Sequence, residues 1–254
     1  MRQDDQSSYD YDDCVTRIAA KDTVDRIADW IVGGRFHPGD TLPIEPAIGE
    51  ELAVSRTVVR EALKALVAKG LVITGPRVGT RVRPVTDWNL FDPDVLDWRM
   101  RAGVDASFIR DLVELRLAIE PAAARLAARA ADDEDIVAIR TAYGGMVEGA
   151  AGRGSYLLAD LAFHESVLRA THNQFIAGLV PALSALLRAS FRLSVKNPAK
   201  ASASLPMHMR LADAIFARDP EAADRATTTL IESARRDIES DIADEPGFAI
   251  EAPA

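Results

Sequence analysis

Apolar and polar positions alternate with mixed periods in the first third of the chain and with a single helical period in the rest. From Val15 to Val32, residues Ile18, Val24, Ile27, Ala28 and Ile31 recur at helical spacing, and Gly33-Gly34 ends that helix. After the turn-rich stretch FHPGDTLP, the pattern predicts a short helix at Glu45–Leu52 and a tight turn at Ala53-Val54. A longer helix then starts behind Ser55, a residue type that caps helix N-termini well. On this helix Val59, Ala62, Leu63 and Leu66 form the inner stripe, while Arg56, Thr57, Arg60 and Lys64 share the opposite face. Two short strands follow, Leu71–Thr74 and Thr80–Pro84, around a tip that carries Arg77 and Gly79. Helix, turn, basic helix and hairpin in that order predict a winged helix-turn-helix. Its second helix presents guanidinium groups to guanine edges and phosphates of DNA, and its wing approaches the backbone.

Beyond Ala106 no strand-like alternation remains. Six helices are expected, at Ser107–Ala130, Asp132–Gly149, Ser155–Thr171, Gln174–Lys196, Leu205–Arg218 and Pro220–Ile242, packed as one bundle. Between the two regions, TDWNLFDPDVLDWRMRAG reads as a docked linker whose Trp88, Phe91, Leu96 and Trp98 pack between the domains. The expected organisation is a disordered lead-in (1–14), a winged helix-turn-helix (15–84), a linker (85–105), a helical bundle (106–242) and a loose tail (243–254). The fold class is mainly α.

Charge sharpens this division. The whole chain of 254 residues carries a net −9, which is unusual for a protein that meets phosphate. From Val15 to Pro84, however, eleven basic residues face eight acidic ones, and the remainder holds about −12. A modestly basic module on an acidic body attracts DNA locally and disfavours indiscriminate coating of it. No apolar run is long enough for a membrane helix, the start lacks a basic-then-apolar leader, and Cys14 has no partner for an internal disulfide. These features place the expected protein in the cytoplasm, away from the membrane.

The bundle holds most of the candidate chemistry. Asp160 and His164 stand four residues apart in SYLLADLAFHESVLRAT, and His208 is available from another helix, PMHMRLADAIFAR. A carboxylate and an imidazole one turn apart can clasp a divalent metal. The same spacing also suits a surface salt bridge or a hydrogen-bonded core histidine. Arg116 and Glu120 form a second i,i+4 pair, either an exposed salt bridge or a guanidinium aimed inward at an anionic ligand. His172 and Asn173 lie at a helix break, His172 as a capping or outer group and Asn173 as a polar contact for a ligand. No nucleophile elbow, phosphate-binding loop or dinucleotide glycine pattern is visible, so an enzyme is not expected.

At these motifs the chain resembles a known family. GDTLPIEPAIGEELAVSRTVVREALKALVAKGLVITGPRVGTRV is similar to the winged helix-turn-helix of GntR-type transcription regulators. The segments ELRLAIEPAAARLAA, DLAFHESVLRATHN and HMRLADAIFARDPEAA resemble the ligand-binding domain of the FCD subfamily, which is fatty-acid-regulator-like. The resemblance implies a homodimer on operator DNA that responds to a small carboxylate effector. It places DNA contacts on Ser55, Arg56, Thr57 and Arg60 and on the wing around Arg77 and Gly79, with Lys64 assisting. Many relatives carry an arginine in a Pro-x-Glu-Arg run, which reads Pro43-Ile44-Glu45-Pro46 here, so one base contact is missing.

The resemblance also implies a metal site, zinc foremost, built from one aspartate and three histidines. Asp160, His164 and His208 match three positions, and Leu230 occupies the fourth, so a closed four-ligand site is excluded. Either three ligands hold the metal or the site is metal-free. Arg116, Glu120 and Asn173 are the effector contacts implied. A subgroup with the same departure, and with similar WNLFDPDVLDW and TLIESARRDI segments, controls galactonate catabolism. A sugar acid such as galactonate is therefore the expected effector and repression the expected mode. The alternatives are another organic acid, a fatty-acyl ligand, or a metal-dependent enzyme.

Overall fold

A computed structural model describes residues 20–76, 78–103, 105–194 and 198–243. The expected lead-in, tail and helix start at Val15 lie outside them. The chain divides into two compact units, residues 1–103 and 104–254. In the first, α1 (20–32), α2 (Glu45–Leu52) and α3 (Arg56–Ala68) precede a hairpin of β1 (Val72–Gly75) and β2 (Gly79–Val82). The strands pair antiparallel, Val72 opposite Val82 and Gly75 opposite Gly79.

Local chemistry explains each boundary. Ser55 Oγ accepts from the Val58 amide at 3.3 Å and starts α3. Ala53 adopts the left-handed conformation that reverses the chain between α2 and α3. Gly70 also has positive φ, and a Cβ there would meet the Asp87 carbonyl at 2.4 Å, so only glycine fits. Ile27, Ile48, Val59, Ala62, Leu66 and Leu71 close the core.

The linker is corrected. Val85–Asp87 forms a 3-10 turn and Pro93–Ala102 a helix, α4, capped by Asp92, whose side chain accepts from the Asp94 and Val95 amides. Trp88, Val95 and Trp98 belong to the core of the first unit, whereas Phe91 is exposed. Polar contacts fasten α4 to this unit. Trp98 Nε1 donates to Asp25 at 2.8 Å, and Lys69, the C-cap of α3, meets Asp92 at 2.7 Å and Asp94 at 2.8 Å. The reason is amphipathy: Val95 and Trp98, three residues apart, bury one face of α4 against α1 and α3.

The second unit is all helical among its described residues: α5 (Ala106–Ala130), α6 (Asp133–Ala150), α7 (Tyr156–Arg169), α8 (Gln174–Gly178), α9 (Val180–Ser194), α10 (Pro198–Phe216) and α11 (Pro220–Ala243). Two of the expected helices differ. The helix expected over Gln174–Lys196 breaks after Gly178, where Pro181 suits the first turn of a new helix. The helix expected from Leu205 begins at Pro198 and carries Pro206 inside it. α5 packs on α11 and α7, α10 on α11, α6 and α5, and α9 on α7 and α11. Phe163, Ile139, Met146, Leu211 and Ile215 fill the centre, each at most 1% exposed.

Candidate functional site

Two surfaces carry chemistry, one in each unit. On α3 the side chains of Arg56, Thr57, Arg60 and Lys64 are exposed, opposite the buried Val59, Ala62, Leu63 and Leu66. Arg60 Nε stands 3.4 Å from Glu45 Oε2 and Lys64 Nζ 2.8 Å from Glu61, ion pairs open enough to solvent to be weak and exchangeable. A groove lies between α3 and the hairpin, with Pro46 and Arg60 on one side and Thr74 and Gly79 on the other. Gly79 has φ +72° at the start of β2. Arg77 lies outside the described residues. The structure thus gathers Ser55, Arg56, Thr57, Arg60, Lys64 and Gly79 around one helix and one hairpin.

In the bundle, the expected trio converges. Asp160 and His164 on α7 and His208 on α10 are all buried, and their donor atoms lie within 4.8 Å of one another. Asp160 Oδ1 stands 3.1 Å from His208 Nε2 and 4.0 Å from His164 Nε2. Phe163 sets its ring edge-to-face against both imidazoles and fixes their planes.

Tautomers decide what this geometry means. His208 Nδ1 stands 3.0 Å from the Ser204 carbonyl, which can only accept, so Nδ1 carries the proton. In a neutral ring Nε2 is then a lone pair facing a carboxylate, and it is buried without any hydrogen-bond partner. His164 repeats the arrangement, its Nδ1 standing 3.2 Å from Glu120 Oε2. Two imidazole lone pairs and a carboxylate oxygen aimed at a common point are the donor set of a divalent cation. A carboxylate and a carbonyl behind them orient the rings. Donors around a tetrahedral ion with bonds of 2.0–2.2 Å stand roughly 3.3–3.6 Å apart, and the two observed separations bracket that range. The residues present fit a metal held by three protein ligands.

The electrostatics agree. Burial pushes the Glu120 carboxyl up, but the Arg116 charge and the His164 contact pull it down to about 2. Burial likewise opposes ionisation of Asp160, yet the facing imidazoles and Arg116 hold it below the usual carboxylate range.

Arg116 and Glu120 form a buried pair, Nε to Oε1 at 2.7 Å, each side chain 5% exposed. The exposed-salt-bridge alternative is excluded. Arg116 reaches a cavity of about 70 Å3 that also meets Asp160, His164 and His208. Leu230 of α11 lines the same cavity. Glu120, assigned to the effector from the sequence, is absent from its lining; its oxygens are engaged by Arg116 and His164. Asn173 is also absent from it, because its Oδ1 caps α8 by accepting from the Phe175 and Ile176 amides. His172 is exposed beside Asp135 at 2.6 Å. Four polar residues of the cavity wall were missed in the sequence: Tyr156, Ser204, Ser233 and Asp237. Tyr156 Oη and Ser204 Oγ lie 2.5 Å apart. Ser233 and Asp237 continue the helical step of Leu230 along α11, the only sequence signal they gave.

A winged helix-turn-helix with a basic helix, joined in one chain to a helical bundle whose cavity meets buried polar side chains, is the architecture of a transcription regulator. Comparison with known proteins names the class. Residues 19–82 match the model for bacterial regulatory proteins of the gntR family, and residues 111–233 match the FCD domain. The galactonate operon transcriptional repressor of Escherichia coli K12 is 37% identical over 207 residues, covering 81% of this chain and 90% of that protein. An uncharacterized HTH-type regulator of the same strain is 33% identical over 214 residues, covering 82% and 90%. The solved structure of Lar, which controls expression of the Listeria monocytogenes agr system, superposes with a TM-score of 0.66. It covers 87% of this chain and 96% of that one at 16% identity, a likeness of fold alone. The chain belongs to the GntR family of transcription regulators and carries an FCD domain as its second unit. No helix among the described residues is long and apolar enough to cross a membrane.

Proposed function

We propose that the protein is a repressor of a sugar-acid catabolic operon, which binds its operator as a homodimer and leaves it when a sugar acid such as galactonate occupies the bundle cavity. The observation that carries this reading is the meeting of Asp160, His164, His208 and Arg116 on one cavity. A cationic side chain beside a metal-ligand set suits a carboxylate. The likeness to the galactonate operon repressor supports the sugar acid among carboxylates. A fatty-acyl ligand fits poorly, since its methylenes would lie against buried polar groups that need partners.

Asp160, His164 and His208 would hold a divalent ion, zinc foremost, which when bound supplies a Lewis-acidic anchor for the effector carboxylate. Arg116 supplies the second anchor, and Glu120 keeps both Arg116 and the His164 ring in place. On the other unit, Ser55, Arg56, Thr57, Arg60, Lys64, Arg77 and Gly79 contact the operator. The effector acts by binding one arrangement of the dimer better than the other, and its differential affinity sets the size of the switch.

A thermal-shift panel of sugar acids, short hydroxy acids and dicarboxylates, each with and without a chelator, tests the reading. A ligand at 100 times its Kd adds about 2.7 kcal/mol, a shift of a few degrees. A galactonate shift that the chelator abolishes is the expected result. Silence across all sugar acids overturns the effector assignment.

A further inference from the structure

The groove beside α3 meets one acid among its described residues, Glu45, the first residue of α2. A carboxylate there repels phosphate, so a surface built only to attract DNA would omit it. The first turn of a helix does favour an acidic side chain. That preference needs no partner, however, and Glu45 has one on another helix: its Oε2 lies 3.4 Å from Arg60 Nε. The fold sets this pairing. α2 and α3 pack together, and Ile48, Leu52, Val59 and Leu63 share one core. Lys64, which also lines the groove, turns instead to Glu61 of its own helix at 2.8 Å.

The atom contacted matters. An approach at Nε leaves open the outer edge of the guanidinium, made by its two terminal amino groups, and that edge matches O6 and N7 of guanine. An arginine without such a restraint swings readily to a phosphate, which every DNA sequence supplies. In the free protein the pair is weak, since the Arg60 and Glu45 side chains are 67% and 40% exposed. Against DNA, water leaves the groove and the same two charges interact more strongly.

We infer that Glu45 is a positioning residue for sequence reading: it holds Arg60 toward base edges and away from phosphate, lowering affinity for all DNA while raising selectivity for guanine at one base pair. The inference rests on the operator-binding reading of Arg60 and deepens it. Repulsion of phosphate acts on every sequence, whereas the alignment of Arg60 is recovered only where a guanine receives it, so the wrong sites are penalised more than the right one.

The test is fluorescence anisotropy of the full-length protein on three kinds of duplex. These are an operator selected from a random DNA pool with the parent protein, the same operator with each base pair replaced in turn, and a random-sequence duplex. Arg60→Ala first identifies the base pair whose preference depends on Arg60. Glu45→Gln is then expected to shrink the preference at that pair ~5-fold or more. The same variant should bind the random duplex roughly 2- to 5-fold tighter, with a salt slope steeper by about 1. Loss of fold cannot produce these opposite signs, because an unfolded fraction weakens binding to both duplexes. Glu61→Gln removes the same charge from the same module, and as the control it should strengthen binding everywhere with the guanine preference kept. Adding Glu45→Gln to Arg60→Ala should change selectivity no further. A guanine preference unchanged in Glu45→Gln, or lost equally in Glu61→Gln, overturns the inference and leaves the operator reading standing. If Arg60→Ala shifts no base preference, Arg60 reads no base and the inference falls with it. If the parent protein enriches no sequence from the pool, the operator reading falls as well.

Discussion

His208 Nε2 stands 3.1 Å from Asp160 Oδ1 while the other ring nitrogen is committed to the Ser204 carbonyl. This relationship is unfavourable for a neutral imidazole and is resolved either by a proton on Nε2 or by a cation between the two atoms. Divalent metal is therefore expected to raise the Tm, and a chelator to lower it. His208→Ala should cut zinc affinity by more than the ~10–100-fold typical of losing an outer-sphere partner, which Glu120→Gln should show. Competition with a chromogenic chelator measures both. Equal zinc affinity in the parent and His208→Ala would leave the trio a purely structural cluster.

Glu120 links stability to acid. Its carboxyl ionises near pH 2 in the folded protein, against an ordinary value of 4.5. The folded state thus binds the proton less readily than the unfolded chain, and this contribution is complete above about pH 4.5 and lost as pH falls toward 2. Its size is on the order of 3 kcal/mol. Denaturant unfolding at pH 3 and pH 6 should show the difference. Glu120→Gln should lose the slope and, by leaving the Arg116 charge buried without its carboxylate, cost about 3–5 kcal/mol at pH 6. An unchanged acid slope in that variant would assign the loss to other groups.

On α3, removal of one guanidinium tests its role. Arg56→Ala and Arg60→Ala should each cost about 1–3 kcal/mol on an operator selected from a random DNA pool, if the side chain reads a guanine. Lys64→Ala should weaken binding on every sequence alike and lower the salt slope by about 1. Fluorescence anisotropy at several salt concentrations separates the cases. An Arg56→Ala loss spread evenly over all sequences would make that arginine a phosphate contact.

Trp98 is 1% exposed, and its indole N–H is held by Asp25. Trp98→Phe should remove the hydrogen bond at modest cost, whereas Trp98→Ala should cost about 3–5 kcal/mol. Because the residue belongs to the first core, the loss should appear in the unfolding of that unit and leave zinc binding unchanged. Full operator affinity and unaltered unfolding in Trp98→Ala would show that α4 is dispensable to the module.

Periodicity made the helices legible, and residue chemistry made the DNA face legible. Ser55, Arg56, Arg60 and the Leu63 stripe lie where simple helical geometry puts them. α4 was obscured because two tryptophans and a proline read as a linker, although Asp92-Pro93 is a good helix start. The burial of Arg116 and Glu120 was hidden by their charge. Both nonetheless fall on the stripe that runs through Leu112, Val113, Ala124 and Ala127, all buried. Glu120's partner could not be read locally, since His164 is supplied by another helix. Nor could Ser233 and Asp237, whose meaning depends on what α11 faces.

Lys69 has one further consequence. The residue that ends the recognition helix also grips Asp92 and Asp94, and its carbonyl accepts the Asn89 amide at 3.0 Å. Lever and blade are thus one forging: a twist applied at Ala102 reaches the last turn of α3 through charged contacts with no slack joint between them.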